Sequence, residues 1–211
     1  MGPKVRDSMK ILCIGRNYAE HVAELNNERP SEPVIFTKPE TALLRKNNPF
    51  YFPDYSENIH HEVEIVLRVA KVGKTIAEEH ALSYVEAVGL GIDFTARDLQ
   101  EKAKSKGLPW ALAKGFDFSA PISEFVPVTE FTDLGNINFS LEINGEVRQQ
   151  SNTRMMLFPI PTIISYISRF ITLKIGDLIF TGTPSGVGPV KIGDRLVGKI
   201  EDKTFLDFEI K

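Results

Sequence analysis

Short apolar segments alternate along the chain with breaks that contain proline or glycine, and this pattern predicts many short elements. The segment HEVEIVLRVA (61–70) alternates strictly between two sides, as a β-strand does. INFSLEINGEVRQQ (137–150) predicts a hairpin whose turn is Asn144-Gly145. Further strands are predicted at MKILCIG (9–15), PVIFTKP (33–39), AVGLGIDF (87–94), DLIFTGT (177–183), RLVGKI (195–200) and TFLDFEI (204–210).

Four other segments predict helices, three from capping residues and one from amphipathic spacing. They are NYAEHVAELN (17–26, capped by Asn17 with Glu20), TIAEEHALSYVEAVG (75–89, Thr75 with Glu78), TARDLQEKAKSKG (95–107, Thr95 with Asp98, stopped by Gly107) and PTIISYISRFI (161–171, with Ile163, Ile164, Ile167 and Phe170 on one side).

The order of these elements predicts an α+β fold with a β-rich core and peripheral helices. At 211 residues, one domain is expected, over residues 9–211. Residues 1–8, before Met9, resemble an expression leader.

Composition excludes several classes of function. The chain is 42% hydrophobic and 25% charged, which is typical of a soluble globular protein, and its net charge of −3 argues against nucleic-acid binding. No apolar run approaches the roughly 18 residues that cross a membrane, and the N-terminus shows no signal peptide. A single cysteine forms no intramolecular disulfide, so a reducing, cytoplasmic setting is expected. Cys13 lies in the apolar run ILCIG and is expected in the core.

Three carboxylates suggest a metal site. Glu62 and Glu64 project from the same side of the predicted strand, together with the apolar Val66. Asp93 lies in an otherwise apolar run, where an unpartnered carboxylate is costly. Carboxylate oxygens suit Mg²⁺ or Mn²⁺. The alternative for the two glutamates is the solvated face of an ordinary strand.

Other polar residues could take part in chemistry. His21 and Glu24 stand three apart on a helix, where the carboxylate would make the imidazole a general base, or they form an ordinary surface pair. Lys114, in a segment rich in glycine and aromatic residues, could stabilise an oxyanion, or it extends from a loop into solvent. Arg97 and Gln100 could hydrogen-bond a substrate carboxylate or carbonyl, or face water.

Six ordered blocks resemble the fumarylacetoacetate hydrolase family, and in particular its acylpyruvase or oxaloacetate decarboxylase-like branch. The blocks are GRNYAEHVAE, FTKPETAL, HHEVEIVLRV, GIDFTARDLQ, GLPWALAKGFDFSAPI and IFTGTPSGVGPV. The resemblance implies a mixed β-sandwich roll that forms a homodimer. It also implies Mg²⁺ or Mn²⁺ bound by Glu62, Glu64 and Asp93, catalytic roles for His21, Glu24 and Lys114, and substrate binding by Arg97, Gln100 and Thr183.

The activity that this resemblance implies is metal-dependent C–C bond hydrolysis or lysis of small 2-oxo acids. Acylpyruvate and fumarylpyruvate hydrolysis and oxaloacetate decarboxylation are all included. His21, oriented by Glu24, would activate water, and Lys114 would steady the developing charge. One alternative is an isomerase or decarboxylase of the 2-hydroxyhepta-2,4-diene-1,7-dioate type, and another is a metal-dependent binding module without turnover. Glu40 stands where the family often has serine, which could alter the acids accepted.

Overall fold

The computed structural model describes residues 9–24 and 28–211, so the predicted leader and residues 25–27 lie outside it. Fifteen strands and five α-helices occur in these two ranges. The helices are α1 (Ala19–Glu24), α2 (Glu78–Ala81), α3 (Arg97–Ser105), α4 (Ala111–Lys114) and α5 (Ile160–Phe170). The strands are β1 (Ile11–Gly15), β2 (Val34–Lys38), β3 (Leu43–Leu44), β4 (Ile59–His61), β5 (Val63–Val69), β6 (Val85–Ile92), β7 (Thr95–Ala96), β8 (Ala120–Pro121), β9 (Val126–Pro127), β10 (Asn138–Ile143), β11 (Glu146–Asn152), β12 (Leu178–Phe180), β13 (Gly188–Pro189), β14 (Arg195–Ile200) and β15 (Lys203–Glu209).

The largest sheet is mixed, with the strand order β2-β1-β12-β5-β6-β9. Strand β1 runs parallel to β12, whereas the other neighbours in this sheet are antiparallel. A second sheet, β11-β10-β14-β15, is antiparallel throughout. Two small sheets, β13-β4-β7 and β3-β8, complete the structure.

The two large sheets share one apolar core. Ile65 of β5 and Leu90 of β6 belong to the same buried cluster as Leu141 of β10 and Leu206 of β15. Because side chains alternate along a strand, the opposite face of β5 carries Val66 into a second, smaller cluster. The predicted α+β class is therefore confirmed, with β-sheets stacked about a common core and short helices at the periphery.

Cys13 lies in the second cluster, and its exposed fraction is 0%. Burial raises the pKa of its thiol well above the ordinary value, which fits a core residue. Among the described residues, no helix is long and apolar enough to cross a bilayer.

The predicted helix over 75–89 is wrong in its second half. Helix α2 covers only Glu78–Ala81, a 3₁₀ turn follows at Leu82–Tyr84, and β6 begins at Val85. The reason is tertiary: β6 is buried on both faces along almost its whole length and pairs with β5 from Val85 to Ile92. Such strands lack polar alternation, so periodicity alone does not separate them from buried helices.

The predicted caps of the first helix and of α3 are also wrong. The Asn17 side chain accepts a hydrogen bond from the Phe158 N–H (2.8 Å) and donates to the Phe158 and Thr181 carbonyls (3.2 and 2.8 Å). The Thr95 hydroxyl donates to the Asp93 carbonyl (3.3 Å), and α3 begins without a side-chain cap. The Asn17 and Thr95 side chains therefore bond to backbone groups outside their predicted helices and cap neither of them. Thr75 likewise lies outside α2, which follows Ala77.

Other local predictions hold, with two exceptions. The 144–145 turn has positive φ at both residues (54° and 82°), as a type I′ hairpin requires, and Gly107 follows α3 with a φ of 62°. Phe170, predicted on the buried side of α5, is 59% exposed, whereas Ile163, Ile164 and Ile167 are buried. The predicted strand 61–70 is interrupted at Glu62, where the chain passes from the small β4 sheet into the large sheet.

Candidate active site

A cleft lies where the large sheet meets α1, α3 and α4. Its cavity volume is small, about 40 Å³. Seven of the nine predicted site residues line it: His21, Glu62, Glu64, Arg97, Gln100, Lys114 and Thr183. Ile14, Gly15, Arg16, Phe36, Lys104 and Trp110 complete the wall. The structure thus brings together predicted site residues that are as far apart in the sequence as His21 and Thr183, which pattern alone could not relate.

The three predicted metal ligands meet at the buried end of this cleft. Glu62, Glu64 and Asp93 are each at most 5% exposed. Each offers a carboxylate oxygen that lies within 4.8 Å of the other two. The strands explain this: β5 carries Glu64 opposite Gly91 of β6, and the Asp93 N–H donates to the Glu62 carbonyl (2.8 Å) just beyond the ends of these strands.

Two buried lysines, Lys114 and Lys38, form ion pairs with these carboxylates. Lys114 Nζ donates to Glu62 Oε2 (2.8 Å) and to Asp93 Oδ2 (2.6 Å). Lys38 Nζ lies 2.7 Å from Asp93 Oδ1 and is fully buried. It also donates to Ser119 Oγ (3.0 Å) and to the carbonyl of Lys114. Lys38 therefore holds one metal-ligand candidate and the backbone of the other lysine at once.

Arg97 and Gln100 form one side of the cleft. Arg97 Nη2 donates to Glu62 Oε1 (2.6 Å), and Nη1 donates to Gln100 Oε1 (2.6 Å). Both residues lie on α3, one turn apart, and both are buried. Since the Gln100 oxygen accepts from Arg97, the amide nitrogen is the group of Gln100 that remains to donate a hydrogen bond to a ligand.

The charges of the site are unevenly compensated. Burial alone would raise the pKa of Glu62, but the Lys114 and Arg97 cations hold it well below the ordinary value. Burial would lower the pKa of Lys114, but the neighbouring Asp93 and Glu62 carboxylates raise it above the ordinary value. Glu64 is different: burial and then the neighbouring Asp93 and Glu62 carboxylates raise its pKa well above the ordinary value.

Glu64 is the best evidence that the site fits a metal ion. Its Oε2 accepts from the Gly182 N–H (2.6 Å), but in the described part of the chain no side-chain cation contacts it. A buried carboxylate without a cation is expensive, and a divalent ion would relieve that cost. The donor set consists only of carboxylate oxygens, which Mg²⁺ and Mn²⁺ prefer.

His21 and Glu24 form the predicted pair on α1. His21 Nδ1 lies 3.3 Å from Glu24 Oε2, and His21 is only 5% exposed although it lines the cleft. The other Glu24 oxygen accepts from the Gly186 N–H (3.0 Å). This arrangement holds the imidazole by its Nδ1, so Nε2 is the ring nitrogen left for a contact with a ligand.

Thr183 is held by Gln149, a residue that the sequence analysis did not predict to lie in the site. Gln149 Nε2 donates to Thr183 Oγ1 (2.8 Å), and Gln149 Oε1 lies 3.0 Å from His61 Nδ1. Gln149 sits in the predicted hairpin and reads there as an ordinary strand residue. His61 is nonetheless buried, and burial lowers its pKa.

Lys38 and Gly182 are the other residues that the sequence reading missed. Lys38 lies between threonine and proline in an apolar segment, and a charged residue in such a run was the available signal. Gly182 has a φ of +100°, and a Cβ there would lie 2.6 Å from the Cβ of Asn17. Glu40, the predicted departure, is exposed and is not among the residues that line the cleft.

Comparison with known proteins gives consistent results. A family model described as fumarylacetoacetate (FAA) hydrolase C-terminal matches residues 10–210. The mitochondrial oxaloacetate tautomerase FAHD1 of Mus musculus is 48% identical over 201 residues, which cover 95% of this chain and 91% of that protein. The mitochondrial oxaloacetate decarboxylase of Dictyostelium discoideum is 48% identical over 185 residues, covering 87% and 85%.

Solved structures agree with the sequence relatives. The crystal structure of fumarylpyruvate hydrolase from Pseudomonas aeruginosa in complex with Mn²⁺ and pyruvate matches with a TM-score of 0.92. The two sequences are 36% identical, and the match covers 96% of this chain and 89% of that one.

Proposed function

The chain belongs to the fumarylacetoacetate hydrolase family, and from this premise we propose that it is a divalent-metal-dependent enzyme acting on small 2-oxo acids, with oxaloacetate as the first candidate. Relatives at 48% identity are named for oxaloacetate tautomerisation or decarboxylation. Both reactions pass through the enol or enolate of a 2-oxo acid, so one site that stabilises this species serves either.

The buried triad with its uncompensated Glu64 is the observation that carries this proposal. Glu62, Glu64 and Asp93 would hold Mg²⁺ or Mn²⁺, and a relative of known structure contains Mn²⁺. When bound, such an ion supplies Lewis acidity toward the oxygens of the substrate. A binding module without turnover would need only this metal ion and its three carboxylate ligands.

The remaining residues favour catalysis over binding alone. Lys114, charged and fixed by two carboxylates, places a proton donor at the buried end of the cleft, where a developing oxyanion is best stabilised. Arg97 and Gln100 would orient the substrate through their N–H groups. The apolar wall, which includes Phe36 and Trp110, limits the access of water.

Hydrolysis of acylpyruvates, fumarylpyruvate among them, is the second candidate. It rests on His21, which lines the same cleft with its Nδ1 held by Glu24. His21 Nε2 would take the proton of a water that attacks the distal carbonyl. An isomerase or decarboxylase of the 2-hydroxyhepta-2,4-diene-1,7-dioate type would need proton transfer but no attacking water.

A substrate panel tests the proposal. Oxaloacetate, fumarylpyruvate and acetylpyruvate are compared with Mg²⁺, with Mn²⁺ and with chelator, in the wild type and in Glu64→Gln. We expect metal-dependent loss of enol or release of CO₂ from oxaloacetate, and at least about a 100-fold lower rate in Glu64→Gln, because one ligand is lost. Glu20→Gln, on the outside of α1, is the matched control.

The outcomes separate the candidates. His21→Ala should lower hydrolysis of the two pyruvates more than it lowers turnover of oxaloacetate. Equal losses on all substrates would remove the water-activating role of His21. Binding of oxalate with Mg²⁺, seen as a higher melting temperature without consumption of any substrate, would refute the enzyme and leave the binding module.

We extend the proposal to assembly and compartment. The family resemblance favours a homodimer, and the net charge of −3 favours neither nucleic acid nor an anionic membrane as partner. The lone buried cysteine favours a reducing, cytoplasmic compartment, although the FAHD1 of Mus musculus and the oxaloacetate decarboxylase of Dictyostelium discoideum are mitochondrial. Light scattering of the purified protein tests the dimer, and a monomer at micromolar concentration would contradict it.

A further inference from the structure

The cleft carries two cations that the proposed chemistry does not use. Arg16 follows β1, and Lys104 lies on α3; both line the same cleft as the carboxylate triad. Lys104 stands seven residues after Arg97, so the two lie on one face of the helix together with Gln100. This face therefore extends from the buried guanidinium to the exposed Lys104, at the open side of the cleft.

Arg16 is held in an unusual backbone conformation. Its φ is 60°, in the left-handed region that residues other than glycine rarely adopt. The next residue, Asn17, is fixed by hydrogen bonds to Phe158 and Thr181, so the turn is set by tertiary contacts. Strain of this kind concentrates where a side chain must be aimed at a ligand. Arg16 is half-buried and lines the cleft.

The charges of the wall favour an anion at this place. Among the described lining residues, four side chains are cationic (Arg16, Arg97, Lys104 and Lys114), whereas Glu62 and Glu64 are the acids. Arg97 and Lys114 both contact Glu62. Arg16 lies close enough to Lys104 that, after burial, it is the leading cause of the lowered pKa of that lysine. Arg97 acts on the pKa of Lys104 in the same direction, and Glu101 acts in the opposite one. A carboxylate bound between Arg16 and Lys104 would reduce the repulsion between these two cations.

We infer that Arg16, with Lys104 beside it, binds the distal carboxylate of the substrate, so that the enzyme selects 2-oxo dicarboxylic acids over 2-oxo monocarboxylic acids. This inference rests on the proposed function, in which the carboxylate triad receives the carboxylate and 2-oxo end. A dicarboxylate then spans the cleft from the buried end to the Arg16–Lys104 pair.

Steady-state kinetics test the inference. Arg16→Asn removes the charge with a residue that tolerates the left-handed backbone, and Arg16→Lys keeps the charge. For Arg16→Asn, we expect KM for oxaloacetate and fumarylpyruvate to rise about 10- to 100-fold, as expected for the loss of a charge-assisted hydrogen bond. KM for acetylpyruvate, which has no distal carboxylate, should change less than about threefold. Lys104→Gln should show a smaller effect in the same direction, and Lys106→Gln is the surface control.

Calorimetry with oxalate and Mg²⁺ provides a readout that does not depend on turnover. Oxalate mimics the pyruvate enolate but lacks the rest of the substrate, so its Kd should be the same in the wild type and in Arg16→Asn. Equal losses of dicarboxylate and acetylpyruvate turnover, or a weaker oxalate Kd in Arg16→Asn, would overturn the inference while leaving the proposed function intact. A wild type that consumes none of the three substrates would instead refute the proposed function.

Discussion

Replacing Lys38 by methionine tests whether this lysine is an essential counter-charge of the site. Its Nζ is fully buried and lies 2.7 Å from Asp93 Oδ1, with Ser119 and the Lys114 carbonyl as further partners. Methionine has a similar length and no charge, so the variant leaves Asp93 with one cation, Lys114, instead of two. The perturbation is therefore electrostatic, with little change in packing volume.

The expected cost follows from the burial of both partners. Removing one member of a buried ion pair destabilises a protein by about 3–5 kcal/mol, because the other charge stays in the interior. For a domain of this size, that corresponds to a fall in Tm of about 6–20 °C. The exposed pair between Arg68 and Glu86, whose side chains are 41% and 40% exposed, should cost less than about 1 kcal/mol when Arg68 is replaced by methionine.

The assay is urea unfolding, in metal-free buffer, of the wild type, Lys38→Met, Asp93→Asn and the double variant. In this double-mutant cycle, the double variant should lose clearly less stability than the sum of the two single variants, since each single change removes the same interaction. A Lys38→Met protein within about 1 kcal/mol of the wild type, or strictly additive losses, would refute the reasoning that Lys38 compensates Asp93.

Two further predictions concern pH and backbone strain. Burial and then the Arg97 guanidinium lower the pKa of His60 to about 4. His60 therefore binds a proton near pH 6.5 in the unfolded chain but only near pH 4 in the folded chain. Stability should therefore fall by about 1–2 kcal/mol between pH 7 and pH 4.5, an amount reduced by the partial exposure of the ring, and urea unfolding of His60→Asn should show a smaller fall; the same fall in both proteins would contradict this. Gly182→Ala should cost several kcal/mol in the same assay, because its backbone is left-handed and the new Cβ meets Asn17 at 2.6 Å, whereas Gly107→Ala, also left-handed but in open space, should cost only about 1 kcal/mol; equal costs would show that the contact with Asn17 is unimportant.

Part of the site could be predicted from the sequence because some of its residues form pairs with local spacing. Period two puts Glu62 and Glu64 on one side, and the structure keeps them there although the strand is broken at Glu62 itself. Asp93 was identified as a carboxylate in an apolar run, and its burial is confirmed. The assigned roles of these residues stay predictions that the experiments above address.

The misses share one physical cause, which is that distant partners decided the local structure. Asn17 has the composition of a helix cap, but its amide is occupied by backbone groups more than 140 residues away. Val85 begins a strand within a helical pattern because β5 offers it a complete row of hydrogen-bond partners. Lys38 carries only a weak local signal, a charge in an apolar segment, because its partners Asp93 and Ser119 lie in other segments.

The hydrogen bond from the Gly182 N–H to Glu64 has a consequence for how the protein is made. The two residues are 118 positions apart, and the Asn17–Thr181 bond spans 164. At about 5–20 residues per second, Glu64 is synthesised roughly 6–24 s before its backbone partner. During that time β5 has neither β12 nor the 182–189 loop beside it, and pairings of such high sequence separation form slowly. A nascent chain that stops before residue 178 therefore lacks both β12 and the backbone partner of Glu64, so it cannot complete the carboxylate site.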